Sequence, residues 1–288
     1  MPTLIELLDA GAHFGHKKER SHPKAKDFIF TLREGIHVID LDKTREGLEK
    51  ALEFLKKQII FGKTILFVGT KKQAQSLTQK VAEAANMPYI NQRWLGGTLT
   101  NFATIRKNIT QLESLEAKTK SPDFEVLTKK EKKVITDKIE RLSKIFGGVR
   151  NMKNLPDAIF VIDAAKEKLA LEEGNRMEIP IVAICDTDAN PDKITYPIPA
   201  NDDAPKTLSL LMSLVEEAVV SGAKEKPVAV PVEKTEPKNI EKAEIEKPKE
   251  VTENQPKADQ PRAGKIVNRP KADQPRAGKE TKEVKKEK

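Results

Sequence analysis

The sequence predicts an α/β fold: a parallel sheet between helical layers, with a helical hairpin inserted into it and a polar segment behind it. Three observations carry that prediction. Short apolar runs (TILFVGT, DAIFVID, IPIVAICD) lack polar alternation, as strands buried on both faces do. They alternate with stretches of helical length, the pattern of a parallel sheet covered on both sides. From Ala223 onward there is no Phe, Tyr or Trp and eight of the 18 prolines occur, so that part cannot build a core.

Taken in order, residues 3–10 (TLIELLDA) form a short helix stopped by Gly11. HFGHKKERSHPKAKDF follows, basic and holding three of the four histidines. FIFTL and IHVID flank Arg33-Glu34-Gly35, the mark of a β-hairpin with glycine in its turn. LDKTREGLEKALEFLKKQII then puts Leu48, Leu52 and Leu55 on one helical face. The strand-helix alternation begins at Thr64. TILFVGT leads to KKQAQSLTQKVAEAAN, PYI to a glycine turn, and DAIFVID to AAKEKLALEEGNRM. IPIVAICD leads to DTDANPDK, and YPIPAND to DAPKTLSLLMSLVEEAVV.

Between PYI and DAIFVID the chain leaves the sheet. Ile105, Ile109, Leu112 and Leu115 step by threes and fours until Ser121-Pro122-Asp123 breaks the helix. Thr128 and Glu131 are spaced as a capping box for a second helix, in which Val134, Ile135, Ile139, Leu142 and Phe146 repeat the seam before Gly147-Gly148. The insertion at 101–148 therefore reads as an antiparallel coiled-coil hairpin, each arm reaching about 27 Å. Its surface is mostly Lys, Glu, Thr and Gln, so it should project. The expected division is a body over 1–222 and a disordered tail over 223–288. The tail repeats PKADQPRAGK at 256–265 and 270–279, two copies too few and too polar for a solenoid.

The hairpin is launched from YINQRWLGGTLTNF. Gly96 and Gly97 offer left-handed backbone for a sharp reversal, and Thr98, Thr100 and Asn101 offer capping oxygens. Arg93 beside Trp94, the sole tryptophan, suits RNA through a guanidinium on phosphate and an indole on a base; a core tryptophan beside an exposed arginine is the other reading.

Charge narrows the class. The chain carries +8, of which the first 222 residues, with 34 basic and 31 acidic, hold +3. That excess is compatible with nucleic acid. The single cysteine, Cys185, permits no internal disulfide and suits a reducing compartment. Neither a signal peptide nor a membrane-length apolar run is present, so the expected location is the cytoplasm. Gly62-Lys63-Thr64 precedes a strand and has Lys57 where a phosphate loop needs glycine. G-x-G-x-x-G, G-x-S-x-G and H-E-x-x-H are missing. His13 and His16 lack the cysteine or carboxylate pair that would complete a metal set. Asp186, Asp188, Asp192, Asp202 and Asp203 crowd the loops after the last strands, where a cation, a basic partner or simple helix capping by Asp202 and Asp203 would each use them.

HFGH (13–16), Pro23-Lys24, FIF (28–30), FVGTK (67–71), RWLGGTLTN (93–101), LTKKE (127–131), LPDAIFVID (155–163) and NDDA (201–204) stand in one order. In that order they resemble the signatures of the small-subunit ribosomal protein two family, bacterial or organellar type, over residues 3–221. Ala200, where glycine is usual, and Pro205-Lys206, where arginine is more frequent, depart from its pattern. The resemblance implies a flavodoxin-like three-layer body with a coiled-coil hairpin and a structural role without catalysis, cofactor, metal or small-molecule substrate. It also implies partners: ribosomal RNA near the junction of head and body, neighbouring small-subunit proteins, and the mRNA-binding ribosomal protein one. The residues expected at RNA are Lys17, Lys18, Arg20, Lys24, Lys71, Lys72, Arg93, Arg106 and Lys107 for phosphate, with His13, His16 and Trp94 for hydrogen bonding or stacking.

Overall fold

Five unbroken apolar runs become five parallel strands. In the computed structural model, which describes residues 1–225, these are β4 (Ile65–Val68), β5 (Tyr89–Ile90), β6 (Ala158–Ile162), β7 (Ile181–Cys185) and β8 (Tyr196–Pro199). Their spatial order is β5-β4-β6-β7-β8, every neighbour parallel. Counted from the first of them this is 2-1-3-4-5, the flavodoxin-like order, whose switch point lies between β4 and β6. The two repeats and the rest of the expected tail lie outside the described residues.

Side-chain alternation divides the interior into two cores. Phe67, Phe160, Val182 and Ile198 face one way and pack with Leu48 and Leu55 of α2 (Leu41–Ile60), Val81 of α3 (Gln75–Ala84) and Leu211 and Val215 of α8 (Pro205–Lys224). Leu66, Val68, Ile159 and Ile181 face the other way, toward Leu171 of α7 (Lys168–Arg176) and the first turns of α4 (Phe102–Thr119). Helix α8 runs two residues past the boundary expected at 222, because Ser221, Gly222, Ala223 and Lys224 keep helical bonding. One other expectation fails locally. The stretch after β7 forms only a 3-10 turn at Pro191–Lys193, since its ten residues are mostly polar and its buried Ala189 and Ile194 do not make a helical stripe. Strand β8 contains Pro197 and Pro199, which an edge position tolerates.

The inserted helices are α4 and α6 (Lys129–Phe146), joined by the short α5 (Pro122–Val126) and packed against each other. Thr128 and Glu131 make the expected capping box. Ile105, Ile109, Leu112 and Phe146 are fully covered and belong to the second core, whereas Val126 and Val134 at the far end are 87% and 60% exposed. The foot of the hairpin is thus part of the body. Arg150 clasps it through an ion pair to Glu116, and Arg106 Nη1 donates to the Met152 carbonyl at 3.2 Å.

The N-terminal excursion is more ordered than its composition suggests. Helix α1 (Leu4–Asp9) carries a Thr3–Glu6 capping box. Strand β1 (Phe14–Lys17) then pairs with β3 (Ile36–Ile39), which pairs with β2 (Ile29–Arg33). Glu34 and Gly35 both have positive φ, the two-residue hairpin turn that matches strand twist. Strand β1 was not expected, because HFGHK is short and mostly polar; it is held by position, not by pattern. A Cβ on Gly15 would strike Thr187 and the His37 carbonyl, so β1 lies against the loop after β7.

One contact sets the spacing of the first helical layer. A Cβ on Gly47 in α2 would overlap the Pro197 carbonyl oxygen of β8, a backbone atom that cannot swing away. Gly47→Ala should therefore lower unfolding stability by about 1–3 kcal/mol in a denaturant titration; an unchanged midpoint would mean that α2 does not press on β8 as described.

Candidate nucleic-acid interface

The loops that follow β4, β5, β6, β7 and β8 gather at the carboxyl edge of the sheet, where parallel α/β proteins bind ligands. At the switch point they enclose a cavity of about 530 Å³ lined by His16, Arg20, Lys71, Asp163, Asp202 and Asp203, among others. Its charges are largely spent on one another. Lys71 Nζ lies 2.8 Å from Asp202, 2.6 Å from Asp203 and 3.3 Å from Asp163. Burial works against the ammonium form, but these carboxylates outweigh it and hold Lys71 above the ordinary lysine range. Asp202 is pushed up to about 7, by burial first and by the charge of Asp163 second, against the pull of Lys71.

His16 occupies the other half of this network. Its backbone N–H donates to Thr187 Oγ1 at 3.0 Å, which fixes the ring over the edge. Nδ1 stands 3.0 Å from Asp186 in an ion-pair contact that is not aligned as a hydrogen bond, and Nε2 is 3.6 Å from Asp203. Asp186 chiefly, with Asp188 and Asp202, raises His16 to about 9 despite its burial. The carboxylates that the sequence reading could not find for His16 are therefore present, contributed by loops about 170 residues away. No group of three or more His, Cys, Asp or Glu among the described residues has the arrangement of a metal site.

The turn from Asn91 to Asn101 is held by a residue that the sequence reading missed. Glu173 of α7 is buried, and its Oε1 accepts from Trp94 Nε1 at 3.1 Å and from the Gly97 N–H at 2.8 Å. Oε2 accepts from the N–H groups of Leu99 at 2.9 Å and Thr100 at 3.1 Å, and from Thr100 Oγ1 at 3.2 Å. Burial alone would raise this carboxyl; the donors outweigh it and keep its pKa below the usual value. A signal was available: Glu173 falls on the same stripe as the buried Ala170 and next to the buried Gly174. Only Gly97 of the glycine pair takes positive φ, and Asn101 caps α4 without a side-chain bond. Thr98 Oγ1 instead donates to the Leu95 carbonyl.

The expected RNA residues now separate into two sets. Trp94 is buried and bonded to Glu173, the core arrangement of this pair; Lys71 and His16 are locked among carboxylates, and Arg106 is half-buried and bonded to backbone. His13 is half-buried against the Phe14 ring, and burial lowers its pKa. Lys24 pairs with Asp192. Lys17, Lys18, Arg20, Lys72, Arg93 and Lys107 are exposed, and none makes an ion pair with a described residue.

A family model described as ribosomal protein S2 matches residues 7–222. The chain belongs to the ribosomal protein S2 family. It is 49% identical over 225 residues to the small ribosomal subunit protein uS2 of Helicobacter hepaticus, covering 78% of this chain and 85% of that one. The protein of the same name from Nitratiruptor is 45% identical over 267 residues, covering 89% of this chain and all of its own. That of Nocardia farcinica is 48% identical over 220 residues, 76% and 77% of the two chains. Ribosomal protein S2 is a structural protein and not an enzyme, and within this chain the network at the carboxyl edge joins the N-terminal strand to the loops of the main sheet as part of its architecture.

His16 makes that architecture pH-dependent. Its folded pKa, about 9, lies above the unfolded value of 6.5, so its contribution is complete below pH 6.5 and disappears as pH rises through 9. The unfolding midpoint should fall across this window, and His16→Gln should remove that fall; identical pH profiles for the two proteins would show that the clamp contributes nothing.

Proposed function

We propose that this chain is an RNA-binding scaffold of the small ribosomal subunit, contacting ribosomal RNA through the exposed cations Lys17, Lys18, Arg20, Lys72, Arg93 and Lys107. The observation that carries this reading is the contrast between two kinds of cation within one family member. Lys71 and His16 are neutralised by carboxylates, while the six are exposed and unpaired among the described residues. An unpaired surface lysine or arginine is free to displace counterions from phosphate, which fixes position without reading sequence. Arg20 lies at the rim of the carboxyl-edge cavity, and Lys72 and Arg93 lie on the loops after β4 and β5, so these three share one edge of the sheet.

The proposal extends to protein partners. The hairpin, read as a coiled coil that projects beyond its buried foot, ends in the exposed Val126 and Val134, and the N-terminal sheet exposes Phe14 and Phe30. The partners proposed for these surfaces are the neighbouring small-subunit proteins and the mRNA-binding ribosomal protein one. The expected setting is the cytoplasmic ribosome; no helix among the described residues is long and apolar enough to cross a membrane.

Rebinding to small subunits depleted of this protein, followed over a salt series, tests the assignment. Lys17→Ala/Lys18→Ala/Arg20→Ala should weaken rebinding and reduce the log–log salt slope by about 2–3. A slope equal to that of the native chain would remove these cations from the interface.

A further inference from the structure

The opposite edge of the sheet has a cavity of its own. Segments 62–64, 86–88 and 148–154 enclose about 560 Å³ at the amino ends of β4, β5 and β6. Its chemistry is the reverse of the carboxyl edge. The lining contains Lys63 and Lys153 and no carboxylate. Neither lysine makes an ion pair with a described residue; of the acids nearest in sequence, Asp157 accepts the Thr64 N–H through one oxygen at 2.9 Å and Glu83 accepts from Gln79 and the Tyr89 hydroxyl. The amides of Asn86, Asn151 and Asn154 also line the space, and none has a hydrogen-bond partner among the described residues. Phe61, which precedes Gly62, is 75% exposed.

The walls are fixed. A Cβ on Gly148 would overlap the Tyr89 carbonyl and ring, which shows how closely the return from the hairpin presses on β5. Arg106 holds the Met152 carbonyl from the other side. Asn86 and Gly62 close their turns in the left-handed region, at φ 54° and 72°.

Two unpaired ammonium groups with no carboxylate call for an anion. The volume is in the range of small-ligand sites and far larger than one phosphate needs. Amide side chains, each offering both donor and acceptor, match the edges of a base. We propose that the amino-edge cavity takes one unstacked nucleotide of a single-stranded RNA segment, its phosphate on Lys63 and Lys153 and its base edge on Asn86, Asn151 and Asn154. The inference rests on the RNA-binding reading above but uses a different surface of the molecule.

The test is a titration of the isotope-labelled full chain with a mixed-sequence single-stranded RNA hexamer, followed by amide NMR, with parallel titrations of a nucleoside monophosphate and of inorganic phosphate. The RNA should shift the amides of 62–64, 86–87 and 151–154. Lys63→Glu/Lys153→Glu should lose these shifts and weaken RNA binding by about tenfold or more. Its melting point should stay that of the native chain, since both side chains are exposed and unpaired, while Lys17→Ala/Lys18→Ala/Arg20→Ala should keep the shifts. RNA shifts confined to Lys17–Arg20 and Arg93 would overturn the cavity assignment alone, and no shift anywhere would overturn both readings. A nucleoside monophosphate should shift the same amides; undiminished binding by the charge-reversed variant would overturn the cavity assignment, as would inorganic phosphate that binds as tightly as the hexamer.

Discussion

A carboxylate taken out of water is costly unless donors surround it. In this molecule Glu173 is surrounded by an indole N–H, three backbone N–H groups and a hydroxyl, all from residues 94–100. Those backbone groups sit in an irregular turn and have no ladder to join, so without the carboxylate the Leu99 N–H would be a buried donor lacking an acceptor, and those of Gly97 and Thr100 would be left to water. Each side thus satisfies the other. The consequence is geometric. Helix α7 packs on the sheet through Ala170 and Leu171, and the turn it holds leads directly into α4. The direction of the hairpin, the burial of Trp94 and the exposure of Arg93 all follow from a single side chain placed on a helix 80 residues further along.

The same logic, charge stabilised by fixed neighbours, accounts for the carboxyl edge. In a flavodoxin-like order the switch point leaves a crevice between β4 and β6. Lys71 and His16 fill it from opposite sides, one from the loop after β4 and one from the N-terminal strand, with Asp163, Asp186, Asp202 and Asp203 between them. The N-terminal sheet, which has few apolar contacts of its own, is thereby tied to the loops of the main sheet. A crevice that serves as a binding site elsewhere becomes a joint here, while the cations that remain unpaired lie around its rim and at the far edge of the sheet.

How much of this was legible in the sequence depends on the range of the interaction. The strands of the sheet were readable because burial on both faces leaves runs such as ILFV and IVAI, and the Thr128–Glu131 box was readable because its two halves are three residues apart. Strand β1 was hidden, since HFGHK carries no alternation and is held by Gly15 meeting Thr187. The pairing of Lys71 with Asp202 and the bonding of Trp94 to Glu173 span 131 and 79 residues, and no local pattern encodes either. That is why His16 and Lys71 looked like open surface, and why Trp94 stood open between the core and a base. Arg93 and the Lys17–Arg20 run, by contrast, stand where composition suggested: at the surface and unpaired among described residues.

Amide hydrogen exchange on Glu173→Leu, compared with the native chain, tests the central claim most directly. If the carboxylate organises the turn, the amides of Gly97, Leu99 and Thr100 and the first turn of α4 should lose protection together, with a red shift in the emission of Trp94, while the amides of β4, β6 and β7 keep theirs. Native protection across residues 97–105 in that variant would contradict the account.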